Sequence, residues 1–326
     1  MDTFSIEKYQ PKHKLLWDRF IATSKNATFL FNRDFMEYHQ DRFEDFSLLV
    51  FKGEKLMAVL PANLVGNEVH SHQGLSYGGL ALNEETRLQD VSEGFKQLLK
   101  FLNDSEIKSL HLKLLPKFYN SYPSDEMDYL LFILNANNSR RDITQVIDFS
   151  KRRKVSSSNR KRGLQRALKN GLTVKESFSF DDFWDEVLAP NLQSSFGVEP
   201  VHSLEEINLL QSKFTKNIKQ YNVYEESSIV AGVTIFETEF VAHAQYISAN
   251  KKGQKIGALD LLFHELIENI YKEKHFFDFG ISNENKGKNI NSGLLSWKES
   301  FGTSPIVHDF YIIETKNSHL LNDVFK

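Results

Sequence analysis

The segment from residue 241 to 272 constrains the fold more than any other part of the chain. Residues 241–248 have the composition of a strand. Residues 251–257 form a turn rich in glycine and lysine. From Gly257 onward, Leu259, Leu262, Phe263, Leu266, Ile267, Ile270 and Tyr271 recur at helical spacing. A strand, a tight turn and a long amphipathic helix in succession point to an α/β fold. Such a turn leaves backbone N–H groups at a helix N-terminus, and these groups, backed by the helix dipole, hold phosphate or pyrophosphate. Gly253 and Gly257 permit dihedrals and close approaches that a side chain would block, and Lys251, Lys252 and Lys255 add positive charge. The same residues also suit an ordinary strand–turn–helix connection.

The order of elements around this segment occurs twice. In the first half, residues 46–51 and 55–62 read as a hairpin around Lys52-Gly-Glu54, with a third strand at 68–77, a helix at 84–102 and a strand at 109–115. In the second, 222–225 and 229–238 form a hairpin around Ser227-Ser228, followed by the strand 241–248, the helix 257–271 and a strand at 276–279. The two series lie roughly 170 residues apart, the signature of an internal repeat. Chance is the alternative, because hairpin–helix–strand is a frequent order. Each half also opens with helices, at 14–24 and 34–42 in the first and at 156–169, 180–193 and 204–218 in the second. Ser203 and Glu206 form a capping box at the start of the last of these. A length of 326 residues suits two domains. The polar stretch 135–154 places their boundary near residue 150, giving domains 1–150 and 151–326. A strand at 310–315 and a short helix after Asn317 end the chain.

Lys252-Gly-Gln-Lys-Ile-Gly257 resembles the acyl-CoA pyrophosphate loop of GNAT acyltransferases, Arg/Gln-x-x-Gly-x-Gly/Ala. Lys252 stands at the first position and Gly257 at the last. Lys255 replaces the central glycine and puts a side chain where backbone should meet pyrophosphate. The tandem-GNAT group that includes the Fem-type peptidoglycan aminoacyltransferases departs in a similar way. The likeness to that group extends to Phe277-Asp-Phe-Gly-Ile-Ser282, Asn289-Ile-Asn-Ser-Gly-Leu294, Trp297-Lys-Glu-Ser-Phe-Gly302 and the basic stretch before Gly171. It covers the chain from about residue 150 to the end. It implies two GNAT-like domains of mixed sheets in tandem, with the chain end able to pack back on the first. The implied activity is transfer of an acyl or aminoacyl group to an amine or hydroxyl. The donor would be acyl-CoA or aminoacyl-tRNA, used as a co-substrate with no tightly bound cofactor. The acceptor would be a small molecule or a lipid- or nucleotide-linked cell-wall precursor, and the sequence leaves open whether tRNA is used. A length below that of typical Fem enzymes, with no coiled-coil arm, favours acyl-CoA. The Lys255 departure favours the aminoacyl donor. A non-catalytic GNAT scaffold that holds a phosphorylated ligand is the reading from another class.

Composition narrows the alternatives. A net charge of −3 gives no global attraction to nucleic acid or anionic lipid, and 40% apolar with 13% aromatic residues is globular. The chain has no cysteine, so neither disulfides nor thiol chemistry enter, which fits a cytoplasmic location. The first residues lack the layout of a signal peptide, and no apolar run reaches the roughly 20 residues of a membrane span. The oligomeric state is not readable.

The chemistry-bearing residues gather in the second half. Arg162, Arg166 and Lys169 share one helical face within the basic stretch, which begins at Lys151-Arg-Arg-Lys154, with Leu164 and Leu168 on the apolar side. Such a face suits a phosphorylated ligand or is simply solvated. His243 and Gln245 lie on one face of their strand, opposite Ala244 and Tyr246. A histidine there serves as a general base or as a packed, hydrogen-bonded core residue. Asp278 inside Phe276-Phe-Asp-Phe279 must be paired or exposed, because a lone buried carboxylate is costly. It reads as a base or as a structural partner of a nearby group. The resemblance gives Lys298, after Trp297, the role of stabilising charge on the reacting carbonyl, which a preorganised cation can do. Ser282, Asn289 and Asn291 are the expected polar contacts to donor or acceptor, and residues 252–257, with Lys252, Gly253, Gln254, Lys255 and Gly257, the donor phosphate seat. His70, His72 and His111 bring metal binding to mind, but no third ligand stands at a recognised spacing, and no metal is expected.

Overall fold

The structure, a computed structural model, describes residues 3–153 and 157–326. Lys154 and Ser156, in the basic stretch and at the predicted helix start, lie outside the described residues. The chain divides into two compact units: residues 1–142 with 286–288 and 307–326, and residues 143–285 with 289–306. The division falls at 142/143, ahead of the boundary expected near 150, and the last residues belong to the first unit. The polar stretch that signalled a linker is largely a strand, Asn137–Asp148. Its buried polar residues are matched: Thr144 donates to Asp278, and Thr303 donates to Gln145 at 2.7 Å. The polarity of the stretch therefore covers both exposed residues, such as Asn137 to Ser139, and satisfied interior ones.

In the first unit, β1 (Phe4–Lys8), β2 (Leu48–Lys52), β3 (Lys55–Leu60) and the short β6 (Ala81–Leu82) form one antiparallel sheet. A second hairpin, β4 (Asn63–Val65) and β5 (Glu68–Ser71), precedes β6. The third strand, expected at 68–77, thus covers only its first residues. Helix α1 (Leu88–Asp104) leads to β7 (Ser109–Lys113), which runs parallel to β5. Along α1, Val91, Phe95, Leu98, Leu99 and Leu102 are fully buried at helical spacing. They pack with Leu48, Val50, Leu60, Leu110, Leu112 and Ile313 into one core. The last strand, Ser304–Glu314, pairs with β7 from Phe310 to Glu314.

In the second unit, β8 is the strand Asn137–Asp148, α2 is Ser158–Lys169 and β9 is Thr173–Ser177. Then come β10 (Ile218–Glu225), β11 (Ser228–Glu237) and β12 (Val241–Ala249), each antiparallel to the one before. The helix Leu204–Lys213 before them carries the Ser203–Glu206 capping box in both directions. The helix expected at 257–271 is present, but the turn expected at 251–257 is itself a short helix. Residues Lys251–Ile256 form α3, Gly257 takes a left-handed φ of 82°, and α4 runs Ala258–Glu265 before a wider π turn at Leu266–Ile270. Gly257 separates the two helices in a conformation that only a glycine adopts cheaply. Strand β13 (Phe276–Ile281) returns parallel to β12 and antiparallel to β8. Helix α5 is Ser292–Glu299.

Each unit thus joins one parallel strand pair through a helical crossover: β5 to β7 by α1, and β12 to β13 by α3 and α4. The abundance of phenylalanine acquires a purpose in the second unit. Phe263 stacks on Phe279 at 4.8 Å between centroids, Phe279 stacks on Phe301 at 5.3 Å, and Trp297 meets Phe301 edge-on at 5.1 Å. This cluster anchors α5 to β13 and α4. Phe279 is 2% exposed. Phe279→Ala should cost about 3–5 kcal/mol, as large-to-small changes in packed aromatic cores do. The midpoint of urea unfolding measures it, and a loss below about 1 kcal/mol would mean the cluster does not hold this unit together.

Candidate functional site

Strands β12 and β13 stay paired for only three residues: Val241 opposite Phe276, Ala242 opposite Phe277 and His243 opposite Asp278. Past that point both continue without pairing to each other. Two irregularities open them. The register of β12 with β11 shifts so that Tyr246 faces Thr234 and Ala244 faces Ile235, leaving Gln245 as the extra residue of a bulge. The register of β13 with β8 shifts between Asp278 and Ile281, and Gly280 there has a left-handed φ of 73°. The outcome is a fork at the carboxyl ends of two parallel strands, the place where open α/β sheets bind ligands. His243 and Asp278 stand at its base.

Asp278 is 3% exposed, and its carboxylate is fully engaged. One oxygen lies 2.8 Å from His243 Nδ1. The other accepts from the Thr144 hydroxyl and, at 2.8 Å, from the Gly280 amide. Burial alone would raise this carboxyl. The His243 ring and the hydrogen bonds from His243, Thr144 and Gly280 outweigh burial and hold it below the usual carboxylate range. A carboxylate only accepts, so Nδ1 of His243 is the protonated nitrogen. In the neutral form of the ring Nε2 carries the lone pair, and Nε2 makes no hydrogen bond among the described residues. The cost of burying a carboxylate in an aromatic strand, evident in the sequence, is met by this pairing.

Lys298 is 3% exposed on α5. Its ammonium donates to the carbonyls of Gly280 at 2.9 Å and Ile281 at 2.6 Å, the carbonyls turned outward by the Gly280 kink. Burial pushes it down to about 8, and the Asp278 charge partly opposes that fall. An ammonium has three donors, and these two bonds leave one. Two further polar atoms belong to the same strand ends. Gln245 Oε1 and Ser282 Oγ are buried without a hydrogen-bond partner among the described residues. Native interiors seldom leave such atoms unmatched.

The other expected site residues are elsewhere or otherwise occupied. Tyr246 gives its hydroxyl to His202, 2.5 Å from Nδ1, and packs edge-on to Trp184. Asn291 caps α5, accepting from Leu294 N at 3.0 Å, and donates to Glu284 at 3.1 Å. Asn289 is exposed and accepts from Asn285 at 3.1 Å. In the expected phosphate turn, Lys252 pairs with Glu225, and Gly253 N donates to the capping Asn250 side chain at 2.8 Å. Gln254 Nε2 donates to Ala249 O at 3.0 Å, and Lys255 is exposed. Gly257 abuts α2: a Cβ built there would lie 2.3 Å from the Gly163 carbonyl oxygen. The backbone of α2 therefore fills the face of the turn that the glycine keeps open. On α2, Arg162 and Arg166 are exposed, and the inward face is Gly163, Ala167 and the partly buried Leu164, while Leu168, also expected there, is 53% exposed. Arg160 points inward and pairs with Asp260. Thr144 and Gly280 carry roles that sequence reading missed. An isolated glycine inside a strand pattern, as in Phe277-Asp-Phe-Gly280, was the available signal for the kink.

No protein-family model matches the chain, and no curated protein matches it. Solved structures do. The crystal structure of FemX aligns with a TM-score of 0.63 at 10% identity, covering 97% of this chain and 99% of that one. L-PGS from Bacillus licheniformis aligns at 0.61 with 14% identity over 96% and 93%. A tandem GNAT protein from the clavulanic acid biosynthesis pathway aligns at 0.52 with 11% identity over 96% and 99%. These likenesses establish the fold: two GNAT-like α/β domains in tandem, of the kind seen in FemX. Among the described residues, no helix is long and apolar enough to cross a membrane.

The turn at Gly257 yields a stability test. Gly257→Ala combines a left-handed backbone with a contact against the Gly163 carbonyl, and should cost at least about 3 kcal/mol. Gly171→Ala has a φ of 68° but nothing within 4 Å, and should cost only about 1–2 kcal/mol. Equal losses in chemical denaturation would mean that α2 does not press on the turn.

Proposed function

We propose that this chain is an acyltransferase whose reaction centre is the fork between β12 and β13. The observation that carries the reading is the His243–Asp278 pair at the base of the fork, with Nε2 of His243 left unbonded. The acceptor, an amine or a hydroxyl, attacks the carbonyl of an activated acyl group. His243 Nε2 takes the acceptor's proton as the new bond forms, and Asp278 stabilises the imidazolium that results. The remaining donor of Lys298 faces the oxyanion of the tetrahedral intermediate. Collapse expels the leaving group, which recovers the proton from His243. Gln245 and Ser282, with their unmatched oxygens, supply polar contacts to the acyl group or the acceptor.

The turn at residues 252–257 bears on the choice of donor. With Gly163 against Gly257 and Asn250 on the Gly253 amide, this turn offers poor room for a pyrophosphate. That favours an aminoacyl ester, in line with the resemblance to Fem-type enzymes, over acyl-CoA. The exposed Arg162 and Arg166 are suited to a phosphate on the donor or acceptor.

Mass spectrometry of molecules that co-purify with the chain identifies donor and acceptor classes, and turnover is then measured. Lys298→Ala should lower kcat on the order of 100-fold with little change in KM, as for a lost oxyanion donor. His243→Gln should lower kcat by about 100-fold or more. The protonated ammonium is the active form of Lys298 and its value is about 8, so the alkaline limb of the rate should fall as pH rises through it. Lys298→Arg should remove that limb. Parent rates in both Lys298→Ala and His243→Gln would overturn the mechanism. Binding without any turnover would make the chain a ligand-holding scaffold instead.

A further inference from the structure

The parallel strand pair of the first unit carries ionisable residues at the same register as that of the second. His243 faces Asp278 across β12 and β13, and His70 faces His111 across β5 and β7. Strand alternation puts Glu68 on the same face as His70, two residues earlier. The other face is core, with Val69, Leu110 and Leu112 buried. The ring centroids of His70 and His111 are 4.3 Å apart. Glu68 Oε2 lies 3.3 Å from His111 Nε2 and 3.5 Å from His70 Nε2. One ligand atom from each residue falls within 4.8 Å of the others.

We propose that Glu68, His70 and His111 bind a divalent metal ion, with zinc as the ion their donors fit. Two imidazole nitrogens and one carboxylate oxygen are a donor set that zinc takes in protein sites with an open fourth position. Zinc bonds of about 2.0–2.2 Å in a tetrahedron separate neighbouring ligand atoms by about 3.3–3.5 Å. The two separations from Glu68 Oε2 have these lengths before any ion is considered. All three residues are half-buried, so the donors are held on a rigid sheet and still reachable from solvent. His111 Nε2 also lies 3.0 Å from the Ser109 hydroxyl, a contact that metal binding would replace. Binding would clamp β5 to β7, and the fourth position would hold water or an anionic group. His72, the third histidine of the sequence cluster, takes no part. It is 4% exposed and packs edge-on to Phe43 and His39.

The test uses the full-length chain without a histidine tag, stripped with a chelator and titrated with zinc chloride against a chromophoric competitor. One equivalent of zinc should bind, and zinc should raise the melting temperature. His111→Ala and His70→Ala should weaken binding at least about 100-fold, more than the loss of an outer partner does. Glu68→Gln preserves size and removes the charge at a surface-accessible position. It should keep the parent's circular dichroism spectrum while losing zinc affinity and the thermal shift. The proposal is overturned if the parent fails to compete for zinc. It is equally overturned if well-folded Glu68→Gln and His111→Ala bind zinc as the parent does, since the ion would then sit on other histidines of the 11 in the chain.

Discussion

The second unit is organised around one expensive object, the carboxylate of Asp278 in the interior of an aromatic strand. A buried carboxylate is tolerated only when its charge and its lone pairs are answered. Here the answers come from three elements: His243 on β12, Thr144 on β8 and the Gly280 amide beyond the kink in β13 itself. Each fixes something larger. The His243 contact sets the last paired position of the parallel strands. The Thr144 contact ties β8 to the same point. The Gly280 contact coincides with the bulge in β13, which shifts its register with β8 where pairing with β12 has ended. The geometry of the fork is thus a by-product of satisfying one charge.

The kink at Gly280 also determines where the cation goes. The same irregular stretch presents the Gly280 and Ile281 carbonyls to α5. Those carbonyls need donors, and Lys298 supplies them. Lys298 reaches them because Trp297 and Phe301, on either side of it in sequence, pack α5 onto Phe263 and Phe279. The aromatic cluster and the buried ammonium are therefore one construction. Desolvation by that cluster lowers the lysine to about 8. A cation kept dry and held by backbone interacts strongly with charge that develops beside it, since little solvent competes.

Much of this was legible in the sequence, and the misses share a cause. The alternation in 241–248 placed His243 and Gln245 together, and the cost of Asp278 among phenylalanines announced a partner without naming it. Pattern reading handles periodic elements well because burial on one face leaves a period. It fails where a polar group is buried and satisfied. Thr144 and Gln145 looked like linker residues and are interior strand residues. It also fails at residues 251–256, where a short helix with no apolar period was read as a turn. Gly257 was read as a phosphate contact for the right reason, that a side chain there would block an approach. The approaching backbone is Gly163 of this same chain. Glu68 was overlooked because its relation to His111 depends on strand pairing across some forty residues, which no local spacing encodes.

The two parallel strand pairs show how far a shared scaffold determines chemistry. Both units build strand, helical crossover and parallel strand, and both place a histidine opposite a second ionisable residue. In one unit that residue is an aspartate, which orients the ring and leaves a nitrogen for proton transfer. In the other it is a second histidine, with a glutamate beside it, and the donors converge on one point in space. A pair built around a buried acceptor is suited to proton transfer, and a pair built from facing lone pairs is suited to a cation. The fold supplies the register and a few side chains supply the reaction, which is why the likeness to other tandem GNAT structures identifies the scaffold while the residues at the strand ends must carry the argument about activity.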